Sequence, residues 1–352
     1  MPDSKLTRDP APAELVGPDG YRFGTYDGPI ATINPLDAAA GSGVIRWVRR
    51  TVRNLRMKEW EAFQLGNDEW FVLGAVYDTK SIALLQVLAV HKASGRIHRW
   101  ERKVPTTSLS VARGLDGTRS HGRTGAFSIA IGNDLSDGRL TVDASHPGGP
   151  DLPALELHGV GDCSPDSAAH LVICHPFAST RALYSDKAMM PFAGTLSIGG
   201  EIIELEGARS FMILDDHHGD YPAPMRYDWV TAIRRTDDGL VEGFNLTDNQ
   251  ILDPDRYNEN AVWRGNEVSR LPAVHVERPD GPHGVWLIRD ASGRVDVRFT
   301  PTVRSEMHVG PRRCLAEYYA PYGWYEGRID TGEFVLEVDG CFGVGEQKMI
   351  RL

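Results

Sequence analysis

The sequence lacks an excess of positive charge and any long apolar run. Its 352 residues carry a formal net charge of −10, which argues against a nucleic-acid or anionic-membrane surface because both favour clustered Lys and Arg. The one basic cluster, residues 46–58, is interleaved with Trp47, Val48 and Leu55 and predicts one face of a strand or short helix. No run of about 18 apolar residues is present, so no membrane span is predicted. No signal-like segment opens the chain, and we expect a cytoplasmic protein.

Cysteine and the common cofactor motifs are also sparse. No C-x-x-C pair occurs, so the cysteines are predicted to be reduced, buried thiols. The glycine-rich nucleotide loops and the G-x-S-x-G elbow of hydrolases are absent, and no cofactor is expected. The four cysteines are scattered along the chain: Cys163, Cys174, Cys314 and Cys341.

Short β-like runs separated by turn signals make up most of the chain. Gly199-Gly200 and Asp237-Asp238-Gly239 each lie between two such runs and predict tight hairpins. Closing antiparallel hairpins removes exposed strand edges, so we predict an all-β protein with few short helices and two antiparallel barrels or sandwiches. We expect an N-terminal arm over residues 1–20, a first β domain over 21–190 and a second over 191–352.

The densest group of ionisable side chains follows a strand-like run at residues 210–214. Five of the six residues from 215 to 220 can ionise. His and crowded Asp side chains offer both a proton donor and a proton acceptor near neutral pH, so the sequence predicts a catalytic loop in the second domain. An ordinary polar turn capped by Asp is the alternative. The candidate catalytic residues are Asp215, Asp216, His217 and His218.

Polar and aromatic residues elsewhere are candidates for a substrate pocket. Asn245, Thr247 and Asn249 alternate on a predicted strand and share one face, where they would line a barrel or hold a catalytic carboxylate. The alternative is that this face meets water and that the aromatic residues only close a core. The other candidate substrate-binding residues are Tyr221, Trp229, Trp324, Glu59 and Trp60.

The same residues resemble the uncharacterised bacterial family DUF2804. More distantly, the acidic-histidine loop followed by a Trp-bearing strand is similar to the carotenoid 1,2-hydratase and AttH-like group. That group consists of tandem lipocalin-like proteins whose members hydrate or cyclise apolar isoprenoid or polyketide substrates. The runs that carry the resemblance are Arg56–Trp60, Leu214–Gly219, Trp229, Gly243–Gln250 and Tyr257–Asn260.

The distant resemblance implies two lipocalin-like barrels and an aspartate that protonates an alkene. Asp216 or Asp215 would be that acid, although His218 stands where the group tends to have an aromatic residue. In this hypothesis His217 or His218 accepts a proton or orients water. Trp229 and Trp324 shelter the resulting cation.

Three functions therefore follow from the sequence. The first is an enzyme that acts on a hydrophobic, isoprenoid- or polyketide-like molecule by acid-initiated hydration, isomerisation or cyclisation. The second is a non-catalytic carrier of a lipid or hydrophobic metabolite. A metalloenzyme is a weaker alternative, because four ionisable residues so close in sequence cannot all ligate one ion. No protein partner is predicted.

Overall fold

Antiparallel strands form almost the whole molecule. The computed structural model describes residues 8–39, 41–310 and 315–351. The strands of the first part are β1 (Val16–Gly17), β2 (Gly20–Tyr21), β3 (Gly24–Tyr26), β4 (Lys58–Gly66), β5 (Trp70–Asp78), β6 (Ala83–His91), β7 (Arg96–Val104), β8 (Leu109–Ser110), β9 (Asp116–Thr124), β10 (Phe127–Asp134), β11 (Arg139–His146), β12 (Leu155–Asp162), β13 (Ala169–Ala178), β14 (Arg181–Ile198), β15 (Glu201–Leu205) and β16 (Phe211–Gly219). Those of the second part are β17 (Met225–Arg235), β18 (Val241–Asn249), β19 (Ala261–Arg264), β20 (Glu267–Arg270), β21 (Val274–Glu277), β22 (Trp286–Asp290), β23 (Val295–Val303), β24 (Glu306–Val309), β25 (Ala316–Tyr319), β26 (Tyr322–Asp330), β27 (Val335–Glu337) and β28 (Cys341–Ile350).

Helix is confined to short pieces. The α-helix α1 (Gly43–Arg56) lies between β3 and β4. Three 3-10 turns cover Pro35–Ala38, Thr106–Ser108 and Leu135–Asp137. The prediction of an all-β protein with few short helices is therefore confirmed.

Two large sheets divide the chain between them. The first sheet follows the order β7-β6-β5-β4-β16-β14-β12-β11-β10-β9-β8, with β13 and β15 paired to β14 and β3 paired to β13. The second follows β20-β19-β18-β17-β28-β26-β23-β22-β21, with β25 on β28, β24 on β25 and β27 on β26. The pairing of β16 with β4 and β14 places the end of the first part at the centre of the first sheet.

The predicted hairpins are present, but the sheets do not change at residue 190. Ile198 pairs with Glu201 around the Gly199-Gly200 turn, and both glycines have positive φ. The strand β14 passes through residue 190, and its hairpin partner β15 stays in the first sheet. The change of sheet falls instead between β16 and β17, so the Asp-Asp-His-His segment belongs to the first sheet and not to the second.

Three apolar layers hold the sheets. The first sheet curls around a core that includes Trp100 and Phe192, which we call the first core. The second sheet curls around a second core that includes Trp286 and Phe299. A third cluster takes side chains from both sheets, among them Phe71 of β5 and Phe342 of β28. We call this third cluster the inter-sheet layer.

The N-terminal segment and three cysteines are also packed. Of the expected arm, residues 8–20 are described, and Leu15 and Val16 are buried against β13 and β14. The described cysteines are buried and unpaired, whereas Cys314 lies outside the described residues. They are Cys163, Cys174 and Cys341.

Candidate active site between the two sheets

The segment predicted to be a polar loop is a buried strand. All nine residues of β16 are buried, including the two aspartates and two histidines. A central strand whose faces are both covered must stay extended to pair with its neighbours, so the backbone hydrogen bonds of the sheet override the turn tendency of Asp, His and Gly. Each charged side chain must therefore find a partner on a neighbouring strand.

The four ionisable side chains of β16 point alternately to the two faces of the first sheet. Met212 and Leu214 of β16 contribute to the first core, whereas Ile213 lies in the inter-sheet layer. Because side chains alternate along a strand, residues 216 and 218 face the first core. Residues 215 and 217 face the inter-sheet layer.

The inter-sheet layer contains an apolar cavity of about 140 Å³. Ala62 and Ala75 are in register on β4 and β5, between Asp215 on β16 and Gln86 on β6. Two small side chains in one row leave space above the sheet, and larger side chains border this space. The second sheet covers this space with Tyr227, Trp229, Met307, Val309, Ala316, Tyr318, Glu346, Lys348 and Ile350.

Asp215 brings a negative charge to the wall of this cavity. Its side chain is 4% exposed, and Oδ1 accepts a hydrogen bond from Lys187 Nζ at 2.6 Å. Oδ2 accepts a hydrogen bond from Trp60 Nε1 at 3.0 Å. Two donors thus hold the carboxylate in one orientation beside an otherwise apolar space.

Lys187 is the centre of a buried ion triad. Its ammonium donates to Ser185 Oγ at 3.0 Å and lies 3.1 Å from Glu259 Oε2. Burial favours the neutral amine, but Asp215 and Glu259 outweigh it and raise the pKa of Lys187 above its usual value. Burial also raises the pKa of Glu259, against the opposing effect of Lys187. The site therefore contains a permanent buried cation that neutralises Asp215.

His217 supports the cavity wall without lining it. Its ring stacks on Trp60, with the ring centroids 3.6 Å apart and an interplanar angle of 7°. The Tyr221 ring is nearly parallel to the His217 ring, and its hydroxyl lies 2.8 Å from His217 Nε2. Burial, followed by the charge of Lys187, holds the pKa of His217 well below its usual value. The neutral imidazole thus fixes the plane of the indole that donates to Asp215.

Asp216, His218 and Glu59 form a separate network in the first core. His218 Nδ1 lies 3.0 Å from Glu59 Oε1, and Nε2 lies 3.3 Å from Asp216 Oδ1. Burial lowers the pKa of His218, but Asp216 and Glu59 outweigh it and raise the pKa to about 9. Burial raises the pKa of Asp216. Glu59, expected in the pocket, instead pairs with His218, Lys80 and Arg113 in this network.

The amide-bearing strand β18 has a different role from the predicted one. Trp229 lines the cavity, and its Nε1 donates to Asn245 Oδ1 at 2.5 Å. The Asn245 amide in turn donates to the carbonyl of Glu259 at 2.7 Å. Thr247 donates its backbone N–H to Asn260. Asn245 therefore positions the indole of Trp229. It forms neither of the hydrogen bonds that hold the Asp215 carboxylate.

Two other predicted residues lie away from the cavity. Asn249 is partly exposed at the end of β18 and accepts a hydrogen bond from the backbone N–H of Ile251. Trp324 packs edge-on against Phe342, with the ring centroids 5.0 Å apart. Neither side chain lines the inter-sheet cavity in the described structure. Asn249 is therefore not placed to hold a carboxylate at the cavity, and Trp324 is not placed to shelter a cation there.

Several residues of the site were missed by the sequence analysis. Lys348 lies over the rings of Trp60, Tyr227 and Tyr318 at 4.9–5.4 Å and pairs with Glu346 at 2.8 Å. Both residues lie on β28, far from β16 in sequence. A lysine inside the apolar run of β14 was the one available signal for Lys187.

Two polar groups on the cavity wall have no partner among the described residues. They are the side-chain amide of Gln64 and the hydroxyl of Tyr77. Buried polar atoms ordinarily form hydrogen bonds. A bound molecule with oxygen atoms would satisfy these two groups.

Neither a metal-ligand cluster nor a membrane-crossing helix is found among the described residues. Within residues 8–39, 41–310 and 315–351, no three His, Cys, Asp or Glu side chains are arranged to hold a metal ion. Over the same ranges, no helix has the length and apolar character that crossing a membrane requires.

Three solved structures are similar to this chain to different degrees. The kievitone hydratase of Nectria haematococca is similar at a TM-score of 0.52 and 14% identity, over 84% of this chain and 88% of that chain. An AttH-like protein of Nitrosomonas europaea matches at 0.46 and 12%, over 91% and 97% of the two chains. The protein CghA matches at 0.46 and 12%, over 84% and 88%. The two curled antiparallel sheets, together with the likeness to the kievitone hydratase, confirm the predicted lipocalin-like fold.

Sequence comparison identifies the family. No curated protein sequence matches the chain. The sequence model described as "Domain of unknown function (DUF2804)" matches residues 10–352. The chain therefore belongs to the DUF2804 family.

Proposed function

We propose that this protein is a hydratase-type enzyme that acts on a small apolar molecule in the inter-sheet cavity. The observation that carries the proposal is the Asp215 carboxylate, which Lys187 and Trp60 orient at the wall of a mostly apolar cavity between the sheets. A charge in such a place is costly to bury, and a catalytic role is a reason to retain it. A kievitone hydratase of the same fold supports hydration as the reaction class.

The position of Asp215 favours a general base over the acid expected from the sequence. Protonation of an alkene needs a neutral carboxyl group at the substrate, whereas Asp215 is ion-paired with Lys187. Asp216, the other candidate acid, faces the first core. A carboxylate at the cavity is suited to accept a proton from a water molecule.

The unpartnered groups of the cavity indicate the substrate's polar end. Gln64 and Tyr77 each offer a hydrogen-bond donor, which suits a carbonyl oxygen conjugated to a carbon–carbon double bond. These donors would stabilise the negative charge that develops on this oxygen when a nucleophile adds to the double bond. We therefore assign an α,β-unsaturated carbonyl compound as the substrate class.

The reaction then balances with Asp215 as the one proton carrier. Its carboxylate removes a proton from water while the water oxygen bonds to the β-carbon and the π electrons move onto the carbonyl oxygen. The neutral carboxyl then returns the proton to the α-carbon of the enolate, and Asp215 is ionised again. The net change is addition of one water, and the reverse sequence is dehydration. Lys187 keeps its proton throughout and orients Asp215.

A screen with isotopically labelled water tests this proposal. Purified protein is incubated with a panel of apolar α,β-unsaturated ketones in water enriched in oxygen-18, and products are analysed by mass spectrometry. We expect one class to gain a water that carries the label in its hydroxyl group. Native mass spectrometry of the same samples reports bound compounds. Compounds that bind but stay unchanged would overturn the enzyme proposal in favour of a carrier.

A further inference from the structure

The helix α1 is oriented against the usual rule for a surface helix. A surface helix normally turns its apolar stripe to the core and its charges to water. In α1 the apolar residues recur at positions three and four apart and point to solvent. Their exposed fractions are 75% for Val44, 66% for Trp47, 44% for Val48, 46% for Val52 and 60% for Leu55.

Arginines on the inward face of α1 and along its edges hold the helix against the protein. Arg53 is 6% exposed and donates to the carbonyl of Thr180 at 2.7 Å and to Asp220 at 3.3 Å. Arg56 donates to both carboxylate oxygens of Asp220 at 2.9–3.1 Å. At the other end, Arg50 donates to Asp37 at 2.5 Å. These contacts fix the helix with its apolar face outward.

The positive charge of α1 favours an anionic binding partner for its outward face. The helix carries five arginines and no acidic residue. Four of them share only two carboxylates, Asp37 and Asp220. Because the whole chain has a net charge of −10, this local positive excess is a distinct feature of the surface. An apolar helix face that carries Trp and is flanked by arginines is typical of a helix lying in the interface of an anionic bilayer.

We propose that α1 docks this protein onto the surface of an anionic lipid bilayer. Trp47, Val48 and Leu55 enter the boundary between headgroups and acyl chains. At 3.6 residues per turn, Arg50 and Arg56 lie at the two edges of the apolar face, and their half-exposed side chains attract lipid phosphates. With 14 residues, the helix is about 21 Å long and lies along the surface without crossing it. The inference is independent of the proposed function, since α1 does not line the inter-sheet cavity.

Vesicle flotation with the full chain tests the docking. The vesicles are phosphatidylcholine alone or phosphatidylcholine with phosphatidylglycerol. We expect binding to the anionic vesicles, weakened by salt, with a blue shift of tryptophan emission and quenching by brominated acyl chains. Trp47 is suited to report this, because it is far more exposed than the tryptophans of the sheets.

Matched variants separate docking from loss of fold. Val48→Glu replaces an aliphatic contact buried in the bilayer with a charge on the outward face and is expected to weaken binding at least about tenfold, which corresponds to about 1.4 kcal/mol. Ile202→Glu changes an apolar residue that is 67% exposed on the β14–β15 hairpin, and is expected to bind like the wild type. Equal binding by Val48→Glu and the wild type, or no binding to anionic vesicles, would overturn the proposal. A dimer in sedimentation that Val48→Glu dissociates would assign the face to a second copy and also overturn it.

Discussion

Asp215 and Asp216 are consecutive in the chain but lie on opposite sides of the first sheet. Asp215 contacts Lys187 and Trp60 at the inter-sheet cavity, and Asp216 contacts His218 in the first core. The β-sheet geometry therefore gives two neighbouring carboxylates different environments and different chemistry. Only Asp215 lines the cavity and can meet a molecule bound there.

Removing the buried cation should destabilise the protein. Lys187→Met leaves Asp215 and Glu259 buried near each other without their shared partner. Breaking a buried ion pair from one side costs about 3–5 kcal/mol, and urea unfolding measures this loss. The exposed Lys103 on β7 provides the control, since Lys103→Met is expected to change the free energy of unfolding by less than about 0.5 kcal/mol. An unchanged unfolding midpoint in Lys187→Met would contradict the ion triad.

Filling the cavity should abolish ligand binding and keep the fold. Ala62→Leu adds a larger side chain to the floor of the cavity, so the affinity for an apolar fluorescent dye should fall at least about tenfold. The thermal midpoint should stay the same or rise, because cavity filling often stabilises a protein. The exposed Ala154→Leu controls for added surface hydrophobicity and should bind like the wild type. Unchanged dye affinity in Ala62→Leu would place the binding site elsewhere.

Glu61 and His218 in the first core should each contribute stability that is lost as the pH rises above about 5. Glu61 on β4 lies beside Asp216 on β16, and burial, followed by the charge of Asp216, raises its pKa above the usual 4.5. Asp216 and Glu59 outweigh burial and raise the pKa of His218 from 6.5 to about 9. Both groups bind their protons more tightly in the folded state, so each contribution is fully present below the unfolded pKa and is lost as the pH rises through the folded one.

The variant Glu61→Gln isolates one part of this effect. The amide is nearly the same size and does not titrate, so between about pH 5 and pH 8 the plot of the free energy of unfolding against pH should have a more positive slope than in the wild type. Urea unfolding at a series of pH values measures the slope. Glu326→Gln, on an exposed position of β26, should keep the wild-type slope. Identical slopes for Glu61→Gln and the wild type would show that Glu61 does not titrate in this range.

Local signals were enough to predict the class of fold. The Gly199-Gly200 and Asp237-Asp238-Gly239 turns and the runs beside them indicated hairpins, and each hairpin is present. Neighbouring strands joined by tight turns need only local information. The concentration of ionisable residues in β16 also pointed to the neighbourhood of the cavity.

The details of the site depend on contacts that are distant in sequence. Asp215 is paired with residues on β4 and β14, and no local pattern states which strands will be neighbours. A strand buried on both faces also lacks the apolar–polar alternation that marks an exposed strand, which is why the sequence predicts a loop after Leu214 where β16 continues. The outward orientation of the apolar face of α1 also depends on contacts with residues outside the helix, because Asp37 and Asp220 hold its arginines against the protein.

The most direct measurement compares Asp215→Asn with Asp216→Asn on the compound that the labelled-water screen identifies. If Asp215 is the general base at the cavity, Asp215→Asn should stay folded, bind the compound and lose kcat by at least about 100-fold. Asp216→Asn should keep kcat within about tenfold of the wild type in the folded fraction determined by urea unfolding. Undiminished kcat in a folded Asp215→Asn, or loss of kcat only in Asp216→Asn, would contradict the account.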